Sequence, residues 1–130
     1  MKQLLPIVCL LLSVAVSAQT EEQRKALFNL KGTIALAGFD PVSYFDGKAV
    51  KGKPTFKHVH KDIMYFFSSP QRRDIFKSNP AKYEPEYGGW CAYAMGNKGE
   101  KVEVNPETFK IVNGKLYLFY NKLSNTLNDW

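Results

Sequence analysis

Asn113-Gly114 lies between Phe109-Lys110-Ile111-Val112 and Lys115-Leu116-Tyr117-Leu118-Phe119, and no other feature narrows the possible folds of this chain as much. Asn-Gly supplies the positive φ angles that a type I′ turn needs at both central residues, and the flanking runs are rich in β-branched and aromatic side chains. A two-residue-loop hairpin is therefore expected. A second hairpin is read upstream: Thr55-Phe56-Lys57-His58-Val59-His60 alternates, Lys61-Asp62 makes a turn, and Ile63-Met64-Tyr65-Phe66-Phe67 is a β-rich aromatic run. Between the hairpins, Ser68 or Ser69 caps a helix with Pro70 in its first turn, ending at Asn79-Pro80. In that helix Ile75 and Phe76 are expected to face the core, with Arg72, Arg73, Asp74 and Lys77 in water. Thr20 to Leu30 reads as a short helix or a frayed leader, and regular structure begins near Ile34. A terminal helix from about Asn121 to Trp130 is expected to dock through Leu123, Leu127 and Trp130. The fold class is α+β: a small single domain with two β-hairpins and two to three short helices.

The first residues read differently. Met-Lys is followed by an apolar stretch from Leu4 to Val16 and then Val16-Ser17-Ala18 before Gln19. A positive start, a short apolar core and small residues at the −3 and −1 positions form the layout of a secretory signal peptide cleaved after Ala18. The apolar run falls short of the roughly 20 residues of a membrane span, which argues against an uncleaved anchor. Cys9 sits inside the apolar core, where no lipid-attachment cleavage is expected. The organisation is thus 1–18 signal peptide, 19–33 leader and 34–130 domain, and the product is exported, periplasmic or extracellular, with no transmembrane segment after cleavage. Removing 18 of 130 residues leaves 112, enough to bury a core without disulfides. Removing Lys2 from the 18 basic residues leaves 17 against 12 acidic, a charge of +5. That charge is spread along the chain with no nucleic-acid motif beside it, so nucleic acid is excluded as a partner.

Three phrases taken together resemble the YHS domain: Asp40-Pro41-Val42-Ser43, Tyr65-Phe66-Phe67-Ser68-Ser69-Pro70 through Phe76, and Asn79-Pro80-Ala81-Lys82-Tyr83. Metal-binding YHS domains read Asp-Pro-Val-Cys, then Tyr-x-Phe-Cys-Ser-x-x-Cys with a Phe four residues on, then Asn-Pro-x-x-Tyr. The resemblance covers roughly residues 34–95, and the last hairpin fits exported members. The three cysteines of the pattern fall here on Ser43, Ser68 and Arg72. Two hydroxyls and a guanidinium cannot replace thiolates around a soft metal, so the usual metal site does not carry over. Gly88-Gly89-Trp90-Cys91-Ala92-Tyr93 resembles a subgroup of exported YHS proteins, some of them described as selenoproteins with selenocysteine in place of this cysteine. That implies redox chemistry or tight metal binding at Cys91.

Signal cleavage would leave Cys91 as the only thiol, with no partner for an intramolecular disulfide. Gly88-Gly89 ends an irregular segment and Trp-Cys-Ala-Tyr-Ala-Met makes a helical turn, which puts Cys91 in the first turn of a helix, where unpaired N–H groups stabilise a thiolate. The competing reading is a buried cysteine packing as a small hydrophobe. His58 and His60, the only histidines, project from one face of a strand and with Cys91 would make a three-ligand site for a transition metal ion with an open position. Otherwise they mark an exposed strand edge with one His packed against Phe56. Exported relatives often carry His at the place of His58, which the resemblance makes the better candidate. Asp40 is either a turn or helix cap or a hydrogen-bond partner that orients His58 behind the site. Tyr83, Tyr87 and Tyr93 read as core and rim aromatics. No Ser-His-Asp order, phosphate loop, paired catalytic carboxylates or dinucleotide fingerprint is present.

Three functions compete. The leading one is a binding module holding a metal ion or small ligand at a Cys91/His58 pocket without turnover. The second is a single-cysteine redox protein, in which Cys91 is the candidate catalytic residue and an outside thiol resolves it. In the third, Cys91 is structural and the domain binds a protein partner.

Overall fold

A computed structural model describes residues 20–121 and 126–130 of the chain. The expected signal peptide and Leu123 lie outside the described residues.

Helix α1 (Glu21–Leu27) opens the described chain, so the stretch from Thr20 to Leu30 contains a short helix, capped by Thr20 and ended at Phe28, rather than a frayed leader. Thr20 and Gln23 close a reciprocal capping box at its start. The helix is tied down through Trp90, whose indole Nε1 donates to Leu27 O at 2.8 Å, and through Lys101, whose ammonium donates to Ala26 O at 3.1 Å.

Strands β1 (Leu30–Lys31), β2 (Ile34–Ala35), β3 (Lys53–His60) and β4 (Ile63–Phe67) form a sheet in the order β1-β2-β4-β3. The β3–β4 hairpin is the one expected from sequence: Lys61 and Asp62 both take positive φ, and His58 pairs with Tyr65 and His60 with Ile63. Alternation along β4 drives Ile63, Tyr65 and Phe67 into the core, all fully buried. β2 lies parallel to β4 through Ile34 and Met64, which a hairpin reading does not anticipate.

α2 (Pro70–Ser78) starts where Ser69 Oγ accepts from Arg72 N, with Pro70 in the first turn. Phe76 is fully buried, its ring 4.7 Å from Tyr65 and 5.2 Å from Phe67. The expectation for Ile75 is overturned, since it is 42% exposed. A residue one step along a helix is rotated about 100°, and this short helix docks through a single ring, so Ile75 falls on the wet side. After Asn79, α3 (Pro80–Tyr83) brings Tyr83 against Phe45 and Phe76.

α4 (Ala92–Lys98) precedes the second hairpin, β5 (Asn105–Val112) and β6 (Lys115–Phe119), which forms its own two-stranded sheet. Asn113 and Gly114 take φ of 52° and 73°, the predicted type I′ geometry. Leu116, Leu118 and Phe119 are fully buried, and Tyr44, in the turn Ser43–Asp46, ties that turn to β5 by donating to Pro106 O at 2.7 Å.

The expected terminal helix is corrected. Residues 126–130 form turns, closed by Asp129 N to Thr126 O and Trp130 N to Leu127 O. The segment carries Thr126, Asn128 and Asp129, whose side chains compete for backbone groups, and Thr126 Oγ1 donates to Tyr120 O at 2.8 Å. Trp130 still docks, with its ring 4.8 Å from Tyr117 and 5.2 Å from Phe119.

Two short turns run left-handed. Leu36, Ala37 and Gly38 take φ of 58°, 50° and 83°, and Tyr87, Gly88 and Gly89 take 54°, 61° and 87°. For Leu36, Ala37 and Tyr87 this geometry costs roughly 1–2 kcal/mol each. Gly88 is fixed by space as well, because a Cβ there would meet Leu27 O and Phe28 Cα at 3.0 Å.

Candidate functional site

Asp40 lies at 0% exposure where the turn before Tyr44 meets the end of β4. Its Oδ1 accepts from Val42 N at 2.9 Å, the local turn that an Asp-Pro-Val sequence favours. Oδ2 accepts from Ser68 N at 2.9 Å and Ser68 Oγ at 2.7 Å, with Arg72 Nε at 4.0 Å. Ser43 Oγ donates to Asp40 O at 2.6 Å and accepts from Val50 N at 3.0 Å. Arg72 reaches on to Asp46 at 2.6 Å. Of the three residues at the cysteine positions of the YHS pattern, Ser68 and Arg72 thus meet the Asp40 carboxylate and Ser43 meets its backbone carbonyl, so both hydroxyls are engaged and a guanidinium supplies positive charge. Asp40 does not orient His58, because its oxygens are committed to Val42, Ser68 and Arg72.

His58 and His60 do share a face of β3, as a period of two requires, and both rings sit edge-on to Phe76 at 6.1 Å rather than one of them on Phe56. Burial, followed by Lys77, pushes the His58 pKa down. Burial also lowers His60, against the opposing pull of Glu84, whose Oε1 lies 3.7 Å from Nε2. Both rings are therefore neutral near pH 7.

Cys91 is the N-cap of α4, one residue before the helical turn in which the sequence placed it, and its carbonyl accepts from Met95 N. It bridges to Leu118 and is fully buried. Sγ accepts from Tyr120 N at 3.3 Å and lies 3.5 Å from Thr126 Oγ1. Burial alone pushes the thiol up; the hydroxyl of Thr126 and the amides of Ala94, Tyr120 and Tyr93 outweigh it and hold the pKa below its ordinary value. A serine-like hydroxyl has one proton, and Thr126 donates its own to Tyr120 O. The neutral thiol consequently donates to Thr126, and ionisation requires the hydroxyl to swing onto Sγ.

Cys91 borders a cleft of about 290 Å³ with Tyr93, Asn97, Lys98, Glu100 and Thr126. Neither histidine lines it, and Tyr83 and Tyr87 do not either. The expected Cys91/His58 pocket and the three-ligand set of Cys91, His58 and His60 are corrected accordingly. The histidines stand on β3 over Phe76, while Cys91 is held against β6, and among the described residues no group of three His, Cys, Asp or Glu side chains could hold a metal ion.

Sequence reasoning missed a second polar cluster. Glu84 Oε2 accepts from Tyr65 Oη at 2.6 Å and from Arg24 Nη2 at 2.8 Å. Burial and then Glu84 push the Tyr65 hydroxyl well up. Only the position of Glu84 directly after the Asn-Pro-x-x-Tyr phrase could have pointed to it.

Comparison with models of known protein families, with curated proteins and with solved structures finds no match. Among the described residues no helix is long and apolar enough to cross a membrane.

Proposed function

We propose that this chain is an exported, YHS-like binding module that holds a small ligand in the cleft bordered by Cys91, without turnover. The observation that carries this reading is the environment of Sγ. A cysteine packing as a small hydrophobe needs apolar neighbours, whereas this one is fully buried against the Tyr120 amide, which donates to Sγ and favours a thiolate. A small ligand is preferred over a metal ion because the histidines lie on another element. The YHS reading is supported by the packing of its three phrases into one unit around Asp40 and Phe76.

The lowered pKa of Cys91 favours one alternative, a thiol redox protein. Its thiolate would attack an external disulfide, form a mixed disulfide and release the other sulfur as a thiolate. Native mass spectrometry of the protein purified from its own compartment, alongside Cys91→Ala, separates these readings. A non-covalent adduct lost in the variant supports the binding module. A covalent adduct removed by reductant supports the redox protein. A bare chain whose thiol reacts only at a rate tracking global unfolding supports the structural, protein-binding alternative and overturns both.

A further inference from the structure

A larger cleft, about 330 Å³, has Gly89 and Leu118 in its wall. It is independent of the Cys91 reading: the two clefts share no lining residue. Both left-handed turns border it, through Leu36 and Ala37 of one and Gly89 of the other. Backbone held in such geometry by non-glycine residues gathers at binding sites more often than elsewhere.

The side chains around this cleft are of two opposite kinds. Lys31 and Glu103 both line it, yet they form no ion pair with each other. Both residues are exposed and stand at its rim; among the described residues the Lys31 ammonium has no hydrogen bond or ion pair, and the Glu103 carboxylate has only a long contact, 3.4 Å, from Asn29 Nδ2. The carboxamides of Asn29, Asn105 and Asn121 add groups able both to donate and to accept. An anion would satisfy Lys31 and be repelled by Glu103, and a cation the reverse. A molecule carrying both charges satisfies both. The buried side chains of Leu36 and Leu118 offer an apolar floor, and the volume lies at the small end of the range for ligand pockets.

We propose that this cleft binds a small zwitterion with an aliphatic part, an α-amino acid such as leucine, its carboxylate toward Lys31 and its ammonium toward Glu103. The test is amide NMR of the isotope-labelled protein titrated with each of the twenty amino acids, then with leucinamide, which lacks the carboxylate, and N-acetyl-leucine, which lacks the ammonium. Saturable shifts at Ala37, Gly89, Asn105 and Asn121 are expected, with each analogue bound at least about tenfold more weakly, the weight of one charge-assisted hydrogen bond. Lys31→Gln should abolish the discrimination against leucinamide, and Glu103→Gln that against N-acetyl-leucine. Cys91→Ala should leave leucine binding unchanged. The proposal is overturned by the absence of saturable shifts at roughly 1 mM of every amino acid, by equal affinity for leucine and both analogues, or by binding that a folded Cys91→Ala protein loses. The analogue series needs no variant and so does not depend on any substitution folding.

Discussion

Asp40→Asn exchanges one carboxylate oxygen for an NH2 group at constant size, in a site where every oxygen is in use. With the NH2 in the place of Oδ2, it would face two donors, Ser68 N and Ser68 Oγ, as well as the Arg72 guanidinium. With the NH2 in the place of Oδ1, it opposes Val42 N alone. The second orientation is cheaper, losing one bond to a charged acceptor, worth about 1.5–3 kcal/mol, and reducing two others to neutral strength, about 1 kcal/mol each. The expected loss is about 3–5 kcal/mol, a large part of the stability of a domain this size. Urea unfolding at constant m-value measures it, and the melting temperature should fall by more than about 12 °C. Ser68→Ala, which removes only the Oγ contact, should lose about half as much. An Asp40→Asn protein within about 1 kcal/mol of wild type would refute the reasoning, since an orphaned buried donor cannot be that cheap.

His58→Ala should leave the midpoint of Cys91 alkylation against pH unmoved, because His58 does not border the cleft. Phe76→Ala should lose about 3–5 kcal/mol in chemical denaturation, whereas exposed Ile75→Ala should lose under about 1 kcal/mol. The folded-state pKa values of His58 and His60 are depressed, so the unfolded chain binds more protons as pH falls through its histidine value of about 6.5. Stability should then decline on acidification below that point, and His58→Gln/His60→Gln should flatten the decline measured by urea midpoints between pH 7.5 and 5.5.

Both hairpins were legible because their turns are local chemistry: Asn113-Gly114 demands positive φ at two positions, and Lys61-Asp62 interrupts a pattern of period two. Ser69 and Pro70 located a helix start for the same reason. Cys91 fell within one residue of its expected place. Phe76 in the core and the docking of Trp130 were legible too; what failed was the placing of the candidate site residues relative to one another. Nothing within β3 says that its histidines would lean on Phe76 while Cys91 sits beneath β6. Arg24 and Glu84 are 60 positions apart, and no periodicity connects them. The Leu36-Ala37 turn was invisible because its residues oppose their own backbone preference, and only the surrounding packing holds them there.

Thr126 gives the carboxyl end of the chain a role out of proportion to its length. Through one hydroxyl it is joined to both the Tyr120 carbonyl and the Cys91 sulfur, and Trp130 fastens the same segment onto Tyr117 and Phe119. These contacts are made by the side chains of Thr126 and Trp130 and not by the ladder of either sheet. An affinity tag or fusion partner attached after Trp130 would pull on that fastening, and the thiol of such a fusion would report the attachment as much as the protein.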